Sequence, residues 1–232
     1  DAVFLATGAG LPAFMGIPGE NLNGVYSANE FLTRVNLMHA EAFPEFDTPV
    51  LHAARVAVIG GGNVAMDAAR VARRLGAKVF LIYRRGEEEM PARRAEVVHA
   101  KEEGIEFYTC ANPVRILGDQ HVTGIECVKM ALCGIDASGR RSPKPIEGSE
   151  FTLDVDMVIQ AIGTSPNPLL VSLIPGLERG RKGNVIVDEN GRTSIPHVYA
   201  AGDIVTGAAT VIEAMGSAKK AAAAINAMLK EE

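Results

Sequence analysis

A glycine triplet between an apolar run and an amphipathic segment is the strongest chemical signal in the sequence. Its spacing is Gly-x-Gly-x-x-Ala, in which the first glycine permits a tight turn, the second admits a pyrophosphate, and the alanine allows close packing of helix on strand. The amide groups and dipole of the helix start then bind the phosphates. We expect these residues to line a dinucleotide site: Gly60, Gly61, Gly62, Asn63, Val64 and Ala65. The alternative is an ordinary glycine-rich turn.

The residues after the next predicted strand indicate which nucleotide binds. An NAD site usually carries Asp or Glu about 20 residues on, where the carboxylate accepts a hydrogen bond from the ribose 2′-hydroxyl. This chain has Tyr83-Arg84-Arg85 there. Guanidinium groups bind a 2′-phosphate with charge-assisted hydrogen bonds, so we predict NADP(H) as cofactor with Arg84 and Arg85 as ligands. The alternative is two solvated surface arginines, and Arg93 and Arg94 are interpreted as a solvated helix face.

Three other apolar strands end in a small residue and a glycine, as they would where backbone or ligand approaches closely. A carboxylate after the last of these glycines would accept a hydrogen bond from a polyol hydroxyl, and a helix start shortly afterwards would offer amide groups to an acceptor carbonyl. The residues assigned to this group are Gly8, Gly163, Gly202, Asp203, Thr210 and Val211. The alternative is a set of plain turns at sheet edges.

Other catalytic or metal-binding arrangements are missing from the sequence. The five histidines are scattered without metal-ligand spacing, so no metal and no catalytic side chain is predicted. The run 87–89 of three glutamates is interpreted as solvated, and Glu213 either faces a site or stabilises a first helical turn. The three cysteines form no Cys-x-x-Cys and favour a reducing, cytoplasmic compartment.

Composition narrows the class of protein further. The chain has 232 residues, of which 47% are hydrophobic and 22% charged, as is usual for a globular protein. A net charge of −5 without a basic patch argues against a nucleic-acid partner, and no run reaches the length of a membrane span. The chain starts at Asp1 within an apolar strand, so we expect a fragment of a longer protein.

The hydrophobic pattern alternates strands with helices, which predicts an α/β fold with a parallel sheet. In the helix after the glycine triplet, the apolar side chains expected to face the core are those of Val64, Ala68, Val71, Ala72 and Leu75. The predicted strands are 2–6, 55–59, 78–83, 105–109, an antiparallel meander of 114–117, 122–130 and 151–153, then 157–162, 185–187 and 197–200. The predicted helices are 28–37, capped by Ser27, and 63–75, 92–103 and 210–229.

The combined motifs resemble a known family over nearly the whole chain. They are Ala6-Thr7-Gly8, Gly16-Ile17-Pro18-Gly19-Glu20, Gly24-Val25-Tyr26-Ser27-Ala28, Val58-Ile59-Gly60-Gly61-Gly62-Asn63-Val64-Ala65-Met66-Asp67, Tyr83-Arg84-Arg85 and Glu89-Met90-Pro91-Ala92. The family is that of the small (β) subunit of NADPH-dependent glutamate synthase. Its module also resembles parts of dihydropyrimidine dehydrogenase and of bifurcating ferredoxin:NADP oxidoreductases.

The resemblance implies a glutathione-reductase-type two-dinucleotide fold. An NADP(H) domain with an inserted meander, residues 53–165, would interrupt an FAD domain represented by 1–52 and 166–232. Gly202 and Asp203 would bind FAD, and Thr210 and Val211 would lie beside its ring. The family's amino-terminal cysteine clusters and first glycine fingerprint do not occur here, so the FAD site would be incomplete in this chain.

Two functions of different classes follow from these expectations. The first is the NADPH-oxidising module of a flavin oxidoreductase, in which hydride passes between NADP(H) and FAD and electrons leave through iron–sulfur clusters. The partners would be the missing amino-terminal iron–sulfur and FAD segment and a larger electron-accepting subunit or domain. The second is a non-catalytic NADP(H)-binding sensor or scaffold subunit. The sequence leaves the final electron acceptor and the oligomeric state open.

Overall fold

A computed structural model of the chain describes residues 1–136 and 139–231, the last by its backbone alone. The strands are β1 (Val3–Leu5), β2 (Leu11–Pro12), β3 (Val25–Ser27), β4 (Arg55–Ile59), β5 (Lys78–Tyr83), β6 (Glu106–Thr109), β7 (Ala111–Gly118), β8 (Val122–Ile135), β9 (Arg141–Pro145), β10 (Phe151–Leu153), β11 (Met157–Gln160), β12 (Thr164–Ser165) and β13 (Val198–Ala200). The helices are α1 (Ala28–Asn36), α2 (Asn63–Arg74), α3 (Arg94–Glu102), α4 (Pro168–Ser172), α5 (Asp203–Thr206) and α6 (Val211–Glu231), with 3₁₀ turns at Ala40–Ala42 and Glu87–Glu89.

The chain folds into two compact units. We name the units by their place in the sequence: the central unit is Phe14–Ile162, and the outer unit combines the two ends of the chain, Asp1–Ala13 and Gly163–Glu232. Residues 14–52, which the sequence analysis groups with the FAD pieces, therefore lie in the central unit. They contribute β3 to its sheet and α1, whose amino end is capped by the Ser27 side chain as expected.

The central unit is built on a five-stranded sheet with the order β3-β11-β4-β5-β6. Every neighbouring pair of this sheet is parallel, as the α/β pattern predicts. The chain passes from β4 to β5 to β6 in one direction and returns to place β11 on the other side of β4. The carboxyl ends of β4 and β11 therefore form a topological switch point, where ligands bind in open α/β sheets.

Helix α2 packs closely on the sheet because its buried face consists mainly of alanine. The buried side chains are Ala65, Met66, Ala68, Ala69 and Ala72. The predicted inward position of Val64 is wrong: its side chain is exposed at the amino end of the helix. Small side chains let the helix axis approach the strands, so the larger Val71 and Leu75 are only partly buried.

The predicted meander is present and larger than expected. Strand β8 pairs antiparallel with β7 and β10 in its first part and with β9 in its second part. Strand β9 is not predicted from the sequence, because its two prolines disfavour a strand. The end of β8 and the start of β9 flank residues 137 and 138, which lie outside the described residues.

The outer unit contains two short sheets and the long helix α6. Strands β1 and β13 pair in parallel, and β2 pairs antiparallel with β12. The predicted strand 185–187 is wrong. Val185 makes only an isolated antiparallel bridge with Arg179, and its N–H donates to Ile204 O of α5 at 2.9 Å, while Ile186 N–H donates to Glu178 O at 3.1 Å, so no strand forms. Among the described residues, no helix is both long and apolar enough to cross a membrane.

Candidate functional site

The glycine turn, residues 60–62, lies at the switch point and is shaped by its neighbours. Gly60 has φ +142°, and a Cβ there would lie 2.4 Å from Ala161 O, the carbonyl that follows β11. Its N–H donates to Ile82 O at 3.0 Å. At Gly61 a Cβ would lie 2.7 Å from the Tyr83 ring. The first two glycines are therefore required by packing within the protein.

Gly62 differs because it faces open space. Its φ of −92° suits any residue, and a Cβ would meet nothing closer than Pro91 Cγ at 4.0 Å. Gly62 caps the amino end of α2, where backbone N–H groups lack intrahelical acceptors. Asn63 and Val64 are exposed beside it, and Ala65 is fully buried against the sheet. This arrangement leaves room for an anion at the helix start.

The two predicted 2′-phosphate ligands have different environments. Arg84 is exposed, and its guanidinium makes no hydrogen bond or ion pair with any of the described residues. The Arg85 side chain is only 6% exposed and forms an ion pair with Asp136. Its Nε also donates to Arg141 O at 2.8 Å. Arg85 is therefore neither a solvated arginine nor an unpaired one.

The glutamate run that precedes α3 is not simply solvated. Glu89 is buried and forms an ion pair with Arg141, and Glu87 accepts from Lys101 Nζ at 2.6 Å. Glu88 remains exposed. The interpretation of this run as solvated is thus wrong for Glu89, whose partner is distant in sequence.

In the outer unit, Asp203 carries an unsatisfied acceptor. Its Oδ1 is buried and has no hydrogen-bond partner among the described residues. The neighbouring Gly202 has φ +75°, and its N–H donates to Ser217 Oγ at 3.1 Å. Gly8 and Gly163 also have positive φ, with open space where a Cβ would stand. A buried acceptor without a donor is expected where a ligand hydroxyl binds.

The start of α6 forms a reciprocal capping box. Thr210 N–H donates to Glu213 Oε2 at 3.0 Å, and Glu213 N–H donates to Thr210 Oγ1 at 3.3 Å. The hydrogen bonds from Thr210 lower the pKa of the Glu213 carboxyl. Glu213 therefore stabilises the first helical turn. The Thr210 amide is engaged, while the Val211 side chain is 74% exposed at the same helix end.

The three cysteines are all free thiols. Cys110 is half-buried, Cys127 buried and Cys133 exposed, and none is in a disulfide. Burial raises the pKa of the Cys127 thiol to about 12, so it stays protonated at neutral pH. In the described part of the chain, no group of three or more His, Cys, Asp or Glu side chains is placed to hold a metal ion.

The structure thus groups the predicted residues into two sets. The central unit contains Gly60, Gly61, Gly62, Asn63, Val64, Ala65, Arg84 and Arg85. The outer unit contains Gly8, Gly163, Gly202, Asp203, Thr210 and Val211. Sequence reasoning missed Asp136 and Arg141, which contact Arg85. No local motif marks them, because each pairs with a residue about 50 positions away. The assignment of all these residues to cofactors stays a prediction.

Comparison with known proteins gives a family match over most of the chain. Residues 1–224 match the model of the pyridine nucleotide-disulphide oxidoreductases. The chain is 42% identical over 237 residues to the NADP(+)-dependent formate dehydrogenase subunit beta of Moorella thermoacetica. It is 40% identical over 235 residues to the glutamate synthase [NADPH] small chain of Azospirillum brasilense, which confirms the resemblance stated from the motifs.

The fold also matches solved structures. FprA of Mycobacterium tuberculosis in complex with NADPH superposes with a TM-score of 0.77 at 24% identity, over 99% of this chain and 63% of that one. The predicted glutathione-reductase-type α/β fold is confirmed. The two sequence matches include 100% and 99% of this chain. They include only 32% of the formate dehydrogenase subunit and 49% of the glutamate synthase small chain. The chain thus spans a third to a half of these relatives.

Proposed function

Because the chain belongs to the pyridine nucleotide-disulphide oxidoreductase family, we propose that it is the NADPH-oxidising module of a flavin oxidoreductase. Hydride passes between NADP(H) and FAD, and the electrons continue to iron–sulfur clusters elsewhere in the complete protein. Among the relatives described above, the glutamate synthase small chain matches this activity most directly. The module operates in the cytoplasm, consistent with its three unpaired cysteines.

The observation that carries the proposal is the open position of Gly62. In the same turn, Gly60 and Gly61 would clash with backbone and ring atoms if they carried a Cβ, whereas Gly62 would not. Packing therefore does not explain the third glycine, but the approach of a pyrophosphate does. The residues fit an NADP(H) dinucleotide, with Gly62, Asn63 and Val64 at its phosphates and Arg84 at its 2′-phosphate.

The outer unit fits part of an FAD. Asp203 Oδ1, buried without a donor, matches a ribityl hydroxyl in chemistry. Gly8, Gly163 and Gly202 leave space for close approach, and the exposed Val211 end of α6 provides a surface for the flavin ring. A first glycine fingerprint for the ADP moiety does not occur among the residues of this chain. We propose that the remaining contacts come from another segment of the complete protein.

The side chains of this module bind and orient; the nicotinamide and the flavin supply the hydride chemistry when they are bound. Amide groups at the start of α2 hold the pyrophosphate, and the helix dipole favours its negative charge. Arg84 adds a charge-assisted hydrogen bond that NADH cannot use. No acid or base is needed for hydride transfer, so an absent catalytic side chain agrees with the proposed activity.

The proposed partner is a larger polypeptide or domain that accepts electrons through iron–sulfur clusters. The length of the relatives supports it, because the chain spans a third to a half of them. We propose to identify the partner as the polypeptide that co-purifies with the complete protein. Its cofactors would then distinguish a glutamate synthase from a pyrimidine reductase or a ferredoxin-linked enzyme.

Anaerobic titration of the complete flavoprotein tests the proposed function. NADPH is expected to bleach the flavin absorbance, and NADH at the same concentration is expected to do so much more slowly. The Glu126→Gln variant, altered in a surface ion pair of the meander, serves as a matched control and should bleach like the wild type. A protein that binds NADPH but never reduces its flavin would instead be a sensor or scaffold subunit.

A further inference from the structure

The arginines of the central unit differ in how their side chains are partnered. Arg55, Arg70 and Arg115 are examples whose guanidinium groups form ion pairs with carboxylates. By contrast, the guanidinium groups of Arg84, Arg93 and Arg94 make no hydrogen bond or ion pair with the described residues. These unpartnered groups lie at the two ends of one stretch, which leads from the end of β5 to the start of α3. We call residues 84–94 the connecting segment; its last residue, Arg94, begins α3.

The connecting segment is held by the β8–β9 hairpin at its first end. Arg85 forms an ion pair with Asp136 just after β8, and its Nε donates to Arg141 O at 2.8 Å at the start of β9. The Arg85 carbonyl accepts from Cys110 N–H at 2.9 Å. Both the side chain and the backbone of residue 85 are therefore fixed, which fixes the backbone of residue 84.

A second ion pair reinforces this attachment. Arg141 contacts the buried carboxylate of Glu89, and a Cβ at Gly86 would lie 2.7 Å from Glu89 Oε2. The Tyr83 hydroxyl donates to Glu89 O at 2.8 Å. The turn that follows Arg85 thus folds back on the end of β5, and a Cβ at residue 86 would displace the Glu89 carboxylate.

The other end of the connecting segment is attached to the glycine turn. Ala92 N–H donates to Gly61 O at 3.1 Å, and Arg93 N–H donates to Asn63 Oδ1 at 2.9 Å. The segment therefore runs between the candidate pyrophosphate site and the hairpin. Arg84 is exposed while Arg85 is buried, as expected of successive residues at a strand end, whose side chains point to opposite faces.

We propose that the β8–β9 hairpin sets the preference for NADPH over NADH: Asp136, by holding Arg85, positions Arg84 to bind the 2′-phosphate. Asp136 and Arg85 are positioning residues, and Arg84 is the residue that contacts the nucleotide. This inference rests on the proposed function, since it assigns roles within the same nucleotide site.

The charge balance separates this proposal from the simpler one in which both arginines bind phosphate. Asp136 already neutralises Arg85, so a phosphate contacting Arg85 would compete with that carboxylate. Removing the Asp136 charge would then strengthen NADPH binding. If Arg85 only fixes the backbone of Arg84, removing the charge releases the segment and weakens NADPH binding instead. The two models predict changes of opposite sign.

The test compares nucleotide affinities of the complete flavoprotein and its variants at moderate ionic strength, where long-range charge effects are screened. We expect Asp136→Asn to weaken NADPH binding about tenfold, against about 10- to 100-fold for Arg84→Ala, which loses a hydrogen bond to a charged group. NADH affinity should change less than about twofold in both variants, because NADH lacks the 2′-phosphate.

Two further variants control for charge and for geometry. Glu126→Gln removes the carboxylate that forms an ion pair with Arg115. Glu126 lies on β8, about ten residues or roughly 30 Å from Asp136, so this variant should leave the affinities for NADPH and NADH unchanged. Asp136→Glu retains the carboxylate and should recover most of the NADPH affinity. A thermal unfolding midpoint within a few degrees of the wild type shows that each variant is folded.

Each other result contradicts the proposal. Stronger NADPH binding by Asp136→Asn would make Arg85 the phosphate ligand. Unchanged NADPH affinity would show that the hairpin does not position Arg84, and equal losses for NADPH and NADH would show a general structural role. A wild type that binds neither nucleotide would overturn the proposed function, and this inference with it.

Discussion

The turn after β4 and the turn after β13 both place glycine between a parallel strand and a helix, but they differ in their surroundings. Around Gly60 the sheet continues on both sides, and the Ala161 carbonyl closes the space that a side chain would need. Around Gly202 the sheet has two strands, and the nearest atom to a Cβ would be Ala214 Cβ at 3.7 Å. The space around the first turn is therefore filled by residues of the unit to which the turn belongs.

The two units also differ in the partners of one carboxylate each; that of the central unit, Asp156, precedes β11 and lies at the sheet edge opposite the glycine turn. In the central unit the Asp156 carboxylate accepts from Arg55 N–H and Nη2, each at 2.9 Å. In the outer unit Asp203 Oδ1 accepts from none of the described residues. The Asp156 carboxylate thus has its donors within the protein, whereas a buried free acceptor such as Asp203 Oδ1 requires a donor from its ligand. The comparison therefore predicts separable effects on the two cofactors.

Gly60→Ala should have the largest effect. A Cβ 2.4 Å from Ala161 O, on a residue with φ +142°, cannot be accommodated without moving β4 or β11. We expect the free energy of unfolding to fall by more than about 3 kcal/mol. Urea denaturation measures it. A variant as stable as the wild type would show that the glycine turn is not rigid.

Gly62→Ala should affect binding but not stability. Its methyl group enters open space at an ordinary φ, so the urea midpoint should remain that of the wild type. The same methyl lies where the pyrophosphate approaches the amide groups, and losing one such hydrogen bond weakens binding by about 10- to 100-fold. NADPH and NADH should lose affinity equally, because they share the pyrophosphate. A loss of affinity confined to NADPH would show that Gly62 does not contact the pyrophosphate.

Asp203→Ala should show the reverse pattern. The change removes a buried oxygen without a donor, so stability should be unchanged or rise by about 1 kcal/mol. Flavin retention by the complete protein should fall while the affinity for NADPH stays the same. The matched variant is Asp188→Ala, because Asp188 Oδ1 accepts from two backbone N–H groups and its loss should destabilise the protein. Destabilisation of both variants alike would mean that Asp203 has a structural donor.

Asp156→Asn should have the smallest effect. The hydrogen bond from Arg55 holds the pKa of the Asp156 carboxyl below its usual value. A lowered folded pKa stabilises the protein above the unfolded pKa, about 3.9, and this stability is lost as pH falls through the folded value. We expect the variant to be slightly less stable at pH 7 and its stability to fall less steeply in acid. An identical acid dependence would show that the ion pair contributes nothing.

The glycine turn and its strands could be predicted because their signals are local. Strand β4 has the predicted bounds, since a run of buried apolar residues ends directly at the glycines. The predicted strand 185–187 had the same local pattern, but Val185 is buried and Ile186 exposed in a segment that makes one isolated bridge, to Arg179. A short apolar run predicts burial better than it predicts pairing.

The partners of Arg85 could not be predicted from the sequence. Asp136 and Arg141 approach it only because β8 extends well past its pairing with β7 and turns into β9. The segment that became β9 contains two prolines and reads as a loop. A contact between residues that are distant in sequence depends on the register of every strand between them, and no residue type nearby reveals it.

The pairing of β1 with β13 has a consequence for how the chain folds. Val3 pairs with Val198, so almost the whole chain lies between two neighbouring strands. Closing so long a loop is slow while the chain is unfolded. Once residues 14–162 have folded, Ala13 N–H can donate to Gly163 O at 3.0 Å, and only residues 4–13 and 163–197 remain to be ordered between Val3 and Val198. We expect amide protons of the central unit to become protected from exchange before those of the outer unit.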